Sequence, residues 1–183
     1  MNLISETPAS LFYVEALDGG DPATKIEYRD AVYQWEVPFT SAPKLLLETT
    51  DRFAGVIWGT ETTAIAYDNW FDTRNVNTYL FNPSDAKQQP KIINSRNSQD
   101  VYSDPGNYET RKNQFGRDVL LVDNDNLFQI GDGYTPKGQF PFIDQFSLKT
   151  LKTSRISQSA LTAKLERIIT IMDVTTGEFF VQL

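Results

Sequence analysis

The chain of 183 residues contains no cysteine and no histidine. Without cysteine it can form no disulfide, no thiolate metal site and no cysteine nucleophile. That absence leaves the cellular compartment open, because exported proteins can lack cysteine too. Without histidine the usual general base is missing, so no Ser-His-Asp or Cys-His site can be built from this chain alone. Histidine-ligated zinc is excluded for the same reason. No apolar run approaches the about 18 residues needed for a spanning helix. The first residues, Met1-Asn2-Leu3-Ile4-Ser5-Glu6, have neither a basic start nor a long apolar core, so no signal peptide is expected in them. Positive charge is in deficit: 17 basic against 24 acidic residues give a net charge of −7. Such a surface repels phosphate backbones and argues against nucleic-acid binding.

Aromatic residues, by contrast, make up 13% of the chain and hydrophobic residues 40%, enough for a sizeable core in one domain. They fall into short runs rich in β-branched and aromatic residues. Phe53–Phe81 is the clearest example. An apolar run, Phe53 to Gly59, is followed by the polar break Thr60-Glu61-Thr62. A second run, Ala64 to Tyr67, leads into a polar stretch, Asp68 to Asn75, that holds Trp70 and Phe71. Val76 to Phe81 alternates with period two, and Pro90 to Ile93 follows the turn Asn82-Pro83-Ser84-Asp85. This predicts four antiparallel strands, a meander the size of one β-propeller blade.

The same grammar runs through the rest. Strands are predicted at Ala9–Ala16, Asp30–Trp35 and Pro43–Thr49, with the loop Leu17–Pro22 between the first two. A polar connection, Ser95–Asn107, and a short strand or bulge at Tyr108–Asn113 come next. Asp118–Val122, Leu127–Ile130, Phe140–Leu148 and Ser154–Ile156 predict another four strands. Ser159–Arg167 carries Leu161 and Leu165 at helical spacing, with Ile168 beyond, and is the one candidate helix. Ile168–Met172 and Glu178–Leu183 predict a final hairpin. Apolar runs starting at Leu11, Ala64, Leu120 and Ile168 lie 53, 56 and 48 residues apart, a weak period near fifty. The expected class is all-β. The expected organisation is about three four-stranded antiparallel blades of a partial propeller over 9–50, 53–94 and 108–157, with the start of another over 168–183. On pattern alone an antiparallel sandwich fits equally well.

Few residues invite a chemical role. Gly19-Gly20 lacks the Lys-Ser/Thr of a phosphate loop and reads as a turn. Asp123-Asn124-Asp125-Asn126 begins like a calcium loop, yet Leu127, Phe128 and Tyr134 stand where the fifth, sixth and twelfth positions need an oxygen ligand, a glycine and an acid; a hairpin turn accounts for it. Gly131-Asp132-Gly133 has no helix behind it and is no dinucleotide fingerprint. Asp72 and Arg74, beside Trp70 and Phe71, could touch a peptide, although a local ion pair explains them more simply. Trp35, Trp58 and Trp70 suit packing between blades. No carboxylate pair is placed for glycoside hydrolysis. No catalytic, cofactor-binding or metal-binding residue is assigned, and no cofactor is expected.

Tyr13–Pro22 (Tyr-Val-Glu-Ala-Leu-Asp-Gly-Gly-Asp-Pro) followed by Tyr28–Phe39 resembles the N-terminal β-propeller region of the prolyl-oligopeptidase family of serine peptidases, in its glutamyl endopeptidase-like branch. Arg52–Gly59, Asp72-Thr73-Arg74, Gly131–Pro136 and Phe140–Asp144 continue the resemblance, which runs from about Thr7 onward. It implies a large enzyme in which a seven-bladed propeller caps an α/β-hydrolase domain carrying Ser, Asp and His, and admits only small or unfolded peptides. This chain holds no Gly-x-Ser-x-Gly elbow and no histidine, so none of those catalytic residues has a counterpart here. The resemblance thus implies a non-catalytic piece of the propeller. Its expected partners are the remaining blades, the hydrolase domain and the parent enzyme's peptide substrate, with no nucleic acid and no membrane. The alternatives are a stand-alone peptide- or glycan-binding module, and a fragment that self-associates through open blade edges. The compartment is left unknown; bacterial relatives of this kind are usually exported or periplasmic and plant ones reach the chloroplast.

Overall fold

A computed structural model describes residues 2–3, 10–160, 166–174 and 176–182. The chain is all-β, as its composition of short β-branched and aromatic runs predicts. It divides into two compact units, Met1–Asn97 with Lys112–Val119, and Ser98–Arg111 with Leu120–Leu183.

The first unit holds two four-stranded sheets. Sheet 1 is β1 (Asn2–Leu3), β2 (Ser10–Ala16), β3 (Asp30–Glu36) and β4 (Lys44–Thr49), in that order. Sheet 2 is β5 (Arg52–Thr60), β6 (Thr63–Trp70), β7 (Asn75–Phe81) and β8 (Lys91–Asn97). Every pairing in both sheets is antiparallel between consecutive strands. The Asp68–Asn75 stretch, expected as a loop, is strand as far as Trp70. Asp68, Asn69 and Trp70 pair with Asn77, Val76 and Asn75. Polarity suggested solvent there, yet the Asp68 side chain is buried and hydrogen-bonded, which is what lets a polar residue sit in the sheet. The fourth strand likewise runs past Asn94 to Asn97.

Apolar side chains of both sheets form one core. Val32, Leu46 and Leu47 from sheet 1 meet Trp58, Ala64, Ala66, Tyr79 and Phe81 from sheet 2. The alanines of β6 leave room for the large rings beside them. Trp58 stands edge-on to Phe12 at 5.6 Å and to Phe81 at 6.0 Å, so one indole joins the two sheets. Edge-to-face pairs of this kind add about 0.5–1.5 kcal/mol to what their buried area contributes.

A 3-10 turn, Val101–Ser103, and β9 (Asn107–Tyr108) open the second unit, and the narrow hairpin β10 (Thr110–Lys112) and β11 (Asp118–Leu120) follows, its residues Lys112–Val119 being counted with the first unit. Sheet 3 then follows as β12 (Val122–Asp123), β13 (Asn126–Gly131), β16 (Phe142–Ser147) and β17 (Thr153–Gln158). The small ribbon β14 (Tyr134–Thr135) and β15 (Gly138–Gln139) lies in the β13–β16 connection. The expected single strand Asp118–Val122 is broken at Leu121, whose N–H donates to the Glu109 carbonyl at 2.9 Å. One edge of β13 is therefore shared: β12 pairs with its start and β9 with its end. Leu127, Ile143 and Phe146 are buried on this sheet. The last hairpin is β18 (Arg167–Asp173) with β19 (Glu178–Gln182). The centre of the candidate helix, 161–165, lies outside the described residues; Ser159 and Ala160 before it are not helical, and Arg167 and Ile168 belong to β18.

Candidate functional site

The strongest polar constellation joins sheet 1 to sheet 2. The Asp18 carboxylate, at the start of the β2–β3 loop, has no side-chain exposure. It accepts from Arg29 Nη1 at 2.8 Å, from Arg52 Nη2 at 2.6 and 2.7 Å, and from the Gly20 N–H at 2.9 Å. Arg52 Nη1 also donates to Asp30 Oδ1 at 2.7 Å, and Asp30 Oδ2 accepts from the Phe53 N–H at 2.7 Å. Arg29 in turn lies 3.9 Å over the Trp70 ring. The Arg52 guanidinium holds the Asp18 carboxyl below the ordinary carboxylate range, against the opposing effect of burial. Every charge here has a partner, so the cluster clamps two sheets and leaves no group to act on a substrate.

A second network sits on the same seam. Asp68 accepts from Tyr79 Oη at 2.6 Å, from the Asp51 N–H at 3.0 Å, from the Asn77 N–H at 3.2 Å and from Thr50 Oγ1 at 3.3 Å. Burial first, and the Asp68 carboxylate second, push the Tyr79 hydroxyl up to about 12. This too is structural.

The residues singled out in the sequence fall as follows. Asp72 and Arg74 form no ion pair; Arg74, at φ 60°, stacks 3.9 Å over the Phe71 ring, and Phe71 is 73% exposed. The loop is held from outside, since Asn97 Nδ2 donates to the Thr73 carbonyl at 3.3 Å. Trp58 packs between sheets and Trp70 beneath Arg29, whereas Trp35 packs locally against Phe39 and donates to the Ser41 carbonyl. Asn124 and Asp125, at φ 46° and 60°, are the two corners of a hairpin turn between the paired Asp123 and Asn126. Gly131 closes β13, and the Phe142 ring lies so near it that a β-carbon would come within 2.2 Å of Phe142 Cζ.

Sequence reasoning missed the Asp18–Arg52 clamp, because its members lie 34 residues apart. It also missed a cleft in the second unit, between the 101–106 loop and the 132–134 loop. Two adjoining cavities of ≈ 270 Å³ each share Val101, Asp104, Gly133 and Tyr134 in their walls. In the wall of one, Asp144 and Arg155 are paired across β16 and β17 at 2.5 and 3.2 Å, and Arg155 lies 3.8 Å over Phe142. No isolated stretch of sequence signals that convergence.

The chain is 35% identical over 181 residues to "Probable glutamyl endopeptidase, chloroplastic" of Oryza sativa subsp. japonica, covering 94% of this chain and 19% of that protein. It is 32% identical over 180 residues to the protein of the same name from Arabidopsis thaliana, again covering 94% of this chain and 19% of the relative. The chain therefore spans about a fifth of the length of the curated relatives it matches. No family model matches it, and no solved structure matches it. The sequence is thus related to proteins named as peptidases, and the chloroplast designation belongs to those plant proteins.

Proposed function

We propose that this chain is a run of consecutive β-propeller blades, over 9–50, 53–94, 108–157 and from 168 onward, of a glutamyl endopeptidase-like serine peptidase of the prolyl-oligopeptidase family. Its role there is to admit and orient peptide substrate, and it catalyses nothing by itself. The observation that carries this reading is the coincidence of two facts over the same residues. The similarity to the two glutamyl endopeptidases extends along 94% of the chain, and within it lie two four-stranded meanders of consecutive antiparallel strands followed by a five-stranded antiparallel sheet. A Greek-key sandwich would exchange strands between its sheets, whereas propeller blades are unbroken meanders. The lack of histidine and of a Gly-x-Ser-x-Gly elbow supports the non-catalytic part.

Two measurements test it. DNA flanking the reading frame is expected to encode further meander strands and, downstream, a Gly-x-Ser-x-Gly elbow with a later histidine; unrelated flanking proteins would count against it. The purified chain is expected to leave an internally quenched peptide with a central glutamate intact. Turnover that persists through repurification would overturn the non-catalytic assignment.

The Arg74–Phe71 stack favours a second reading, a stand-alone module that binds a peptide or glycan at this loop. An exposed aromatic ring carrying a guanidinium with no carboxylate partner is a ready contact. Saturable binding abolished by Arg74→Ala would support it.

A further inference from the structure

We infer that the hairpin β18–β19 is a strap that opens from sheet 3 as a unit, and that the Glu109 carboxylate is the latch that holds it shut. The strap lies wholly within the second unit, so its opening does not depend on whether a hydrolase accompanies the chain. The hairpin is a sheet of its own: β18 and β19 pair with each other, and among the described residues no ladder joins them to sheet 3. A two-stranded hairpin in water is marginal by itself, so whatever docks it decides whether it stays ordered.

Apolar packing docks it weakly. Ile168 is the one buried residue of its two strands, whereas Met172 and Phe180 are 69% and 55% exposed. A cavity of ≈ 540 Å³ is lined by Phe128, Ile143 and Ile156 of sheet 3 together with Ile171, Val174 and Phe179 of the hairpin. Apolar side chains that share a cavity of this size forgo much of the contact that close packing would give them.

The ladder of the hairpin is interrupted as well. Pairing slips between Ile168 and Thr170 and again between Ile171 and Asp173, so Ile169 and Met172 have no partner in the ladder. Thr170 and Ile171 form the paired stretch between these two bulges, and they are the two residues that Glu109 holds. Its Oε1 accepts from the Thr170 hydroxyl and, at 3.1 Å, from the Ile171 N–H. Glu109 is itself anchored: its N–H donates to the Phe128 carbonyl at 2.8 Å, and its carbonyl accepts from the Leu121 N–H at 2.9 Å. With its backbone bound to sheet 3 and its carboxylate bound to the strap, one residue clasps the two together. Hydrogen bonds to an ionised acceptor are about twice as strong as neutral ones. When they break, nothing directional is left between Thr170-Ile171 and Glu109, and the two strands lose their protection together.

The test is hydrogen–deuterium exchange of the full chain, read by mass spectrometry on peptides from the hairpin and from β13, β16 and β17. In the unaltered chain the hairpin is expected to exchange at least about tenfold faster than β16, yet well below the rate of an unstructured peptide. Glu109→Ala is expected to speed exchange over 167–182 about tenfold or more, the loss of a hydrogen bond to a charged acceptor, and to leave β16 and β17 unchanged. Thr170→Val deletes one donor from the strap and keeps its shape, and is expected to give a smaller rise, about threefold, over the same residues. Equal protection of the hairpin and β16 in the unaltered chain, or a hairpin no better protected than an unstructured peptide, would overturn the strap. Acceleration spread evenly over the hairpin, β16 and β17 in Glu109→Ala, or none in either variant, would overturn the latch. If Glu109→Ala fails to fold, the unaltered chain and Thr170→Val decide the same two points.

Discussion

Replacing Tyr79 by phenylalanine removes one oxygen atom and little else. Its hydroxyl donates to Asp68 at 2.6 Å and meets Thr50 Oγ1 at 3.1 Å, and Thr50 belongs to the linker that carries the chain from sheet 1 to sheet 2. A hydrogen bond to a charged, buried acceptor contributes about 1.5–3 kcal/mol. Asp68 keeps its three other donors, Thr50, Asp51 and Asn77, so the variant should fold. At neutral pH the loss should therefore fall in that range, which lowers the melting midpoint by roughly 3–12 °C for a chain of this length. The alkaline limb gives a second reading. The hydroxyls of Tyr79 and Tyr67 are both pushed from 10.0 up to about 12, Tyr67 by burial alone. A phenol that holds its proton more tightly when folded stabilises the fold fully below pH 10, and this contribution is gone above about pH 12. At 1.36 kcal/mol per unit, each tyrosine can account for at most about 3 kcal/mol across that window. Urea unfolding followed by circular dichroism from pH 8 to pH 12 should show stability falling through this range in the parent chain. The slope should be shallower in Tyr79→Phe, with the remainder left to Tyr67 and to the upward-shifted Tyr28, Tyr33 and Lys149. A change below about 0.5 kcal/mol at pH 7, or an identical alkaline slope, would refute the claim that Asp68 and Tyr79 act together.

Arg52→Ala should lower the unfolding midpoint by taking one of two guanidinium partners from Asp18 and the guanidinium partner from Asp30, which keeps the Phe53 N–H. Because the Asp18 carboxyl is held below its ordinary 3.8, its stabilising contribution is present above that pH and lost as the pH falls further. The acid limb of a denaturation series should accordingly be shallower in the variant than in the parent. Gly131→Ala places a β-carbon 2.2 Å from Phe142 Cζ and should destabilise by about 1–3 kcal/mol, read from the urea midpoint. Asn124→Val puts a β-branched residue at φ 46° and should cost about 1–2 kcal/mol by the same assay, whereas Asn124→Gly should be neutral or better.

The sheets were legible because their strands are local: each run of alternating or apolar residues pairs with the next run in sequence, across turns marked by Asp, Asn, Gly and Pro. The Asp123–Asn126 turn could be read as a hairpin from its residue types alone. Legibility failed where polarity and burial part company. Asp68 looks like a loop residue, yet it lies fully buried in β6 because four donors meet it. It failed again at Asp118–Val122, where five strand-forming residues are divided between two strands by one hydrogen bond from Leu121 to Glu109. The candidate sites follow the same rule. Arg74 could be picked out as a charged residue beside aromatics, but its stacking on Phe71 depends on a left-handed backbone that no pattern announces. Tyr102, Tyr134 and Asp144 are brought to one cleft only by the folding of the second unit.

The seam between sheets 1 and 2 shows why a β-rich scaffold of this kind places charges where apolar side chains would be less risky. Apolar packing around Trp58 is non-directional, and the sheets could slide over one another with little loss of buried area. Arg52 prevents that. Its planar fork reaches both Asp18 and Asp30, and the backbone N–H of the next residue, Phe53, is bound by Asp30 as well. Thr50 and Asp51, the two residues before it, are tied to Asp68 in the opposite direction. The two-residue crossing from one sheet to the next, Thr50-Asp51, is therefore fixed on both sides by carboxylates that lose their partners if the angle changes. A buried ion pair is seldom more stabilising than a well-packed apolar substitute, so stability alone does not explain its presence. What it supplies is a set angle between adjacent sheets, held by directional charge-assisted hydrogen bonds.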